Sequence, residues 1–227
     1  MINETHAIGR VIKAALDLAA ERPWQDVTLR DIADRSGVAL ADLRNDFKGK
    51  PAILAKFIRL VDDAVLAKAP GRDPGQPARD RVFDVLMTRL EVLEPYKSAI
   101  RSIADAPGTG LAVAKNTMAS QAWMLHAAGI PTDGPLGTAR VAGLASVYSS
   151  LLRTWLDEAD PAYPRTMAAL DRRLKRGEAV LKSLDDVQAF AGRLAEAFRP
   201  RRRAEGERTT ATPPASEPPA EPPVATV

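Results

Sequence analysis

Between Thr28 and Lys50 the chain gathers residue types that hold anions: Arg30, Arg44, Lys48 and Lys50 carry positive charge, while Thr28 and Asn45 offer neutral donors. Cations spaced along short helices suit phosphate oxygens, because each N–H makes a charge-assisted bond and each cation displaces a condensed counterion from a nucleic-acid backbone. The chain offers little to covalent or metal-assisted chemistry. His6 and His126 are its two imidazoles, it has no cysteine, and no glycine loop for phosphates, nucleophile elbow or metal-ligand spacing occurs. The expectation is a binding protein and not an enzyme, with no cofactor, no metal and no catalytic residue. Carboxylate pairs such as Asp62-Asp63, Asp157-Glu158 and Asp185-Asp186 read as solvated helix faces or ends.

Something rigid must hold those cations, and the apolar residues around them supply it. Thr28 offers an oxygen to the free amides of a helix start, with Asp31 three residues on as the acid of a capping box. Leu29, Ile32 and Ala33 then fall on one side and Arg30, Asp31, Asp34 and Arg35 on the other. Gly37 ends this helix, and Val38, Leu43 and Phe47 provide the contacts for a second helix crossing the first. The pattern is a helix-turn-helix. Its second helix would enter a major groove with Ala39, Leu40, Ala41 and Asp42 nearest the base edges, few of which donate hydrogen bonds.

With these residues in view, positions 6–60 resemble the DNA-binding domain of the TetR family of bacterial regulators. The similarity includes a first helix with Ile8, Val11, Ile12, Ala15, Leu16 and Ala19 on one face, the Pro23-Trp24 turn, the Thr28 cap, Ile32-Ala33, Gly37-Val38, Phe47, and Lys50 opening a fourth helix. It implies that Thr28 and Lys50 meet phosphates at helix N-termini, where free amides favour an anion. Two positions depart from the family pattern. Ala39 stands where the family has serine or threonine and cannot cap the reading helix, and Arg44 replaces an aromatic phosphate-contacting residue. Residues 1–60 hold ten Lys or Arg against eight Asp or Glu, with Asp42 and Asp46 on the reading helix itself. That balance is slightly basic, so the competing reading is a helix-turn-helix kept as scaffold. The candidate DNA-binding set is Thr28, Arg30, Ala39, Leu40, Ala41, Asp42, Arg44, Asn45, Lys48 and Lys50.

The 227 residues, 45% of them hydrophobic, suffice for a small headpiece and a helical body with its own core. The expected fold is all-α: a three-helix helix-turn-helix domain over 1–49, a helical regulatory and dimerisation bundle over 50–198, and a disordered Arg/Pro-rich tail over 199–227, where large apolar residues are almost absent. Helices are expected at about 50–68, 78–93, 95–105, 110–129, 135–158, 162–182 and 185–198, with breaks at Pro70–Pro77, Pro95, Pro107-Gly108, Pro131 and Pro161. No stretch approaches the roughly 20 apolar residues of a membrane span, and no secretory leader pattern opens the chain. A cytoplasmic protein without membrane insertion is expected. The net charge of +3 names no partner.

In the body, Ala139, Ala142, Gly143, Ser146 and Ser150 line one side of a long helix and would let a second subunit approach closely, giving a homodimer that matches a two-fold operator. Met87, Tyr96, Met118, Trp123, Met124, Tyr148 and Trp155 are candidates for the lining of an apolar effector cavity, with Arg140 and His126 as polar exceptions. The resulting expectation is a regulator, a repressor released by a small apolar effector through a population shift. A second resemblance competes with it. Tyr148, Trp155-Leu156-Asp157, Asp160-Pro161, Thr166 and Leu170–Leu174 are similar to the C-terminal region of ubiquinone-biosynthesis lipid-binding accessory proteins. That family implies a TetR-like fold holding an isoprenoid lipid without DNA, with Val187, Phe190, Ala191, Leu194 and Phe198 as its membrane-facing helix.

Overall fold

The computed structural model describes residues 2–69, 75–107 and 109–179, all within one compact unit, Met1–Asp185. Among them there are helices and no strand. The expected helix at 185–198, the amphipathic face Val187–Phe198 and the tail 199–227 lie outside the described residues.

Helix α1 (Ala7–Glu21) buries Val11, Ile12, Ala15, Leu16, Leu18 and Ala19 along one stripe. A 3-10 turn at Trp24–Asp26 leads to α2 (Leu29–Ser36), whose start carries the full reciprocal cap: Asp31 N donates to Thr28 Oγ1 at 3.1 Å, and Thr28 N donates to Asp31 Oδ2 at 2.8 Å. Gly37 closes α2 at φ 65°, in the left-handed region that a side chain would strain. Helix α3 (Leu40–Asp46) follows, and its N-cap residue Ala39 makes no side-chain cap bond. Ion pairs brace the headpiece from outside: Arg35 meets Glu21 through two bonds of 2.7 and 2.8 Å, and Arg22 lies 2.7 Å from Asp31.

The body consists of α4 (Lys50–Lys68), α5 (Ala78–Leu93), α6 (Lys97–Asp105), α7 (Thr109–Ala127), α8 (Gly134–Leu156) and α9, which is described over 164–179. α4 packs on α5 and α7, α7 on α8, and α6 lies against α1 and the 3-10 turn. Fully buried Ile12, Ile32, Leu43, Ile53, Leu86, Leu90, Met124, Leu151, Trp155 and Leu170 span headpiece and body in one continuous core. Each contributes about 1.5–3 kcal/mol by removal from water.

Two carboxylates depart from their expected place at solvated helix faces. Asp62 is buried and paired with Arg89, because its turn of α4 also carries Val61 and Val65 into the core. Glu158 is buried too. It accepts the amides of Arg165 and Thr166 at 2.7 and 2.8 Å and the Thr166 hydroxyl at 2.5 Å, so it caps the start of α9.

Candidate nucleic-acid interface

The exposed side of α3 and the neighbouring side of α2 share one shallow recess of about 480 Å³, floored by Leu29, Leu43 and Phe47 and rimmed by Arg30, Leu40, Arg44 and Lys48. Local folding places these groups. Leu43 and Phe47 bury inward one turn apart, which turns Arg44, Asn45 and Lys48 outward. Leu40 is 42% exposed at the first turn of α3, beside exposed Ala39, Ala41 and Asp42. Arg30 lies 3.4 Å from Asp34 in an exposed pair, a contact loose enough to be exchanged for a phosphate. Arg44 and Lys48 have no ion-pair partner among the described residues.

Acid and base therefore divide unevenly over the headpiece. Asp17, Glu21, Asp31 and Asp34 are each paired with a cation of the headpiece. The carboxylates of the reading helix that stay exposed beside the recess are Asp42 and Asp46.

Lys50 has a different setting from the rest. Its ammonium donates to the carbonyl oxygens of Trp24 and Val27, both at 2.6 Å, and lies 4.3 Å from the Trp24 ring centroid. Burial pushes its pKa down, with Asp26 opposing. It ties the start of α4 to the turn before α2, with one N–H left for a phosphate. Thr28 is likewise occupied by its cap, although its exposed position leaves the adjacent amides at the start of α2 accessible.

The headpiece is also joined to the body. Ser102 of α6 accepts from the Trp24 amide at 2.9 Å and donates to the Arg22 carbonyl at 3.2 Å. No sequence pattern singles out this serine, because its role depends on a contact across 78 residues.

The seven effector-cavity candidates are dispersed. Met124 and Tyr148 are buried and both touch Arg89, through its Nη1 at 3.7 Å from the Met124 sulfur and its guanidinium 5.1 Å from the Tyr148 ring. Trp155 is fully buried beneath Lys97, at 4.8 Å. Tyr96 stands edge-on to Phe57 at 5.3 Å, and Met87 is half-buried against the core. Met118 and Trp123 are 38% and 55% exposed and face away from the interior. The charges that matter inside, Asp62 and Arg89, were hidden by apolar periodicity. A lone arginine set among Val85, Leu86, Val92 and Leu93 was the signal that marked one of them.

Ala139, Ala142, Gly143 and Ser146 of α8 are exposed, and Ser150 is half-buried at the end of their strip. Ala139, Gly143, Ser146 and Ser150 border a groove of about 910 Å³ between α8, the start of α5 and α9, rimmed by Arg79, Arg81, Arg140 and Arg173; Ala142 is exposed beside it. Among the described residues a Cβ placed on Gly143 would meet nothing within 4 Å, so their packing does not demand a glycine there. Ser150 accepts a 2.6 Å bond from Arg173, and His126 contacts Thr132 at 3.1 Å.

A capped helix, a left-handed glycine turn and an exposed second helix flanked by Arg30, Arg44 and Lys48 on a helical body define a helix-turn-helix protein. Residues 11–56 match the model of the bacterial regulatory proteins of the tetR family. The fold is that of solved TetR regulators. One, a TetR transcriptional regulator from Rhodococcus sp. RHA1, is 21% identical, with 76% of this chain and 96% of that one covered at a TM-score of 0.58. The TetR transcriptional regulator from Nitrosomonas europaea is 21% identical, with 74% and 96% covered at 0.57. No curated protein sequence matches the chain significantly. The chain thus carries a TetR-type headpiece on a TetR-type helical body.

Proposed function

We propose that the protein is a transcriptional regulator, a repressor that binds a two-fold operator as a homodimer and is released by a small effector held in the body. The observation that carries this reading is the convergence of Arg30, Arg44 and Lys48 on one recess beside the exposed first turn of α3. Cations around an exposed helix start with an apolar floor suit phosphates flanking a major groove. The exposed small-residue strip of α8 supports the second subunit, since one reading helix covers half of such an operator. Bonds from Ser102 to Trp24 and Arg22 supply a route by which the body biases the headpiece. Among the described residues no helix is long and apolar enough to cross a membrane, and a cytoplasmic location is the one that fits a DNA-binding role.

The test is a titration of the purified full-length protein against a fluorescent duplex of its own upstream region and a random duplex of equal length, over a range of salt. Nanomolar binding confined to the upstream duplex, with a steep salt slope, is expected. Equal weak binding to both, together with no binding to any fragment of a genomic pool, would overturn the reading.

A further inference from the structure

The groove of about 910 Å³ beside α8 combines an apolar floor with a cationic rim. Val82, Leu125, Leu144, Val147 and Leu174 form the floor, and Arg79, Arg81, Arg140, Arg173 and Arg176 stand around it against one lining carboxylate, Glu178. None of the seven residues expected to line an effector cavity borders it. Arg79 is matched by Asp80 at 3.0 Å, with Glu178 3.9 Å away. The other four arginines have no ion-pair partner among the described residues. Arg81, Arg140 and Arg173 are half-buried and held by neutral acceptors. Arg81 Nε donates to the Ala128 carbonyl at 2.7 Å, Arg140 Nη1 to the Pro131 carbonyl at 3.2 Å, and Arg173 Nη2 to the Ser150 hydroxyl at 2.6 Å. Such bonds fix where each guanidinium sits, but they leave its charge uncompensated and most of its N–H donors unused.

Two of these cations share one end of the groove. Ala128 and Pro131 belong to the short turn between α7 and α8, whose Gly129 is left-handed at φ 68°, so Arg81 and Arg140 flank the same turn. From Arg140 to Ser150 the groove follows α8 for about 15 Å, at a helical rise of about 1.5 Å per residue. A purely polar anion would leave the apolar floor in water, and a neutral lipid would leave the cations uncompensated. A molecule with an anionic head and an apolar chain satisfies both. We propose that the effector is a single-chain amphipathic anion, a straight-chain carboxylate whose head is held by Arg81 and Arg140 and whose chain lies along α8 toward Ser150. This inference rests on the effector-released regulator described above and gives that effector a site and a charge. Ala139, Gly143 and Ser146 border the groove from the strip offered to a second subunit. An occupant therefore favours one seating of that subunit over another, which is the differential affinity that release requires.

The experiment titrates the full chain, without DNA, by calorimetry with straight-chain alkanoates from hexanoate to tetradecanoate below their micelle concentrations. The 1-alkanols and alkylammonium ions of the same lengths are titrated alongside. Wild type is compared with Arg140→Gln, with Arg140→Lys, which keeps the charge, and with Arg172→Gln, an exposed position of α9 outside the groove. Alkanoates are expected to bind with an optimum length, and the neutral and cationic chains far more weakly. Arg140→Gln is expected to weaken the best alkanoate about tenfold, the equivalent of one charge-assisted hydrogen bond. Arg140→Lys should retain most of the affinity and Arg172→Gln all of it. The inference is overturned if no alkanoate binds wild type, if alkanols bind equally, or if Arg140→Gln behaves like Arg172→Gln. Added to an operator complex, the best alkanoate is expected to lower DNA affinity about tenfold, and an unchanged affinity would overturn its role as effector. Alkanoate binding by a protein that binds no operator would sink the regulator reading alone, whereas specific operator binding with no alkanoate binding would sink this inference alone.

Discussion

Lys50 Nζ lies 2.6 Å from the carbonyl oxygen of Trp24 and 4.3 Å from the centroid of the same residue's indole ring. With a second bond to Val27 at 2.6 Å, the ammonium clamps the chain between α1 and α2 onto the start of α4. Lys50→Met is therefore expected to cost about 1–3 kcal/mol of stability through two orphaned carbonyls and a lost cation–π contact. Urea denaturation measures it. A wild-type midpoint with DNA affinity lost would show that the lysine serves phosphate alone.

Arg44 and Lys48 stand in the opposite situation, exposed and held by no ion pair among the described residues. Arg44→Ala and Lys48→Ala are expected to leave the thermal midpoint unchanged within about 0.5 kcal/mol. Each should flatten the slope of log affinity against log salt by about 1. Fluorescence anisotropy at several salt concentrations reads this slope, and an unchanged slope in both variants would remove the recess from the DNA interface.

Asp62 and Arg89 are a buried pair whose members need each other. Burial works against the Arg89 charge, but Tyr148 and Asp62 outweigh it and hold the guanidinium pKa above its ordinary value. Removing one partner, as in Asp62→Ala, strands the other charge and is expected to cost about 3–5 kcal/mol. The double change Asp62→Leu with Arg89→Met should recover most of that loss in urea melts. Additive losses in the double variant would show that the pair is not coupled.

Burial pushes the Glu158 carboxyl up, yet bonds from the Thr166 hydroxyl and the Arg165 and Thr166 amides prevail and hold it below its ordinary 4.5. A carboxyl with a depressed folded pKa contributes stability above its unfolded value and loses it as pH falls through the folded one. Glu158→Gln is expected to cost about 1–2 kcal/mol at neutral pH by loss of the cap. It should also flatten the loss of stability below about pH 4.5. Melts from pH 7 downward compare the two proteins, and parallel acid limbs would contradict the assignment.

Much of the headpiece could be read from neighbours in sequence. Thr28 and Asp31 are three residues apart, Gly37 follows the last turn of α2, and Leu43 and Phe47 repeat at one turn, so helix geometry alone brings them together. The body was legible as helices but not as an interior. Asp62 and Asp63 look alike in sequence, and only the rotation of α4 within the bundle decides that the first is buried while the second faces solvent. Trp123 and Trp155 carry the same side chain, one 55% exposed and the other fully buried, because each helix presents a single stripe inward.

The sequence by itself determined the helices, their breaks, the Thr28 cap and the identity of the cations around the reading helix, because those depend on interactions spanning a few residues. Tertiary structure decided which charges are free and which are spent. Arg44 on α3 and Lys48 just after it are exposed, whereas Lys50 is turned onto Trp24 and Val27 and Arg89 is enclosed with Asp62. A cation's availability depends on which carbonyls and carboxylates packing places within about 3 Å of it, and those partners lie 23 to 27 residues away along the chain.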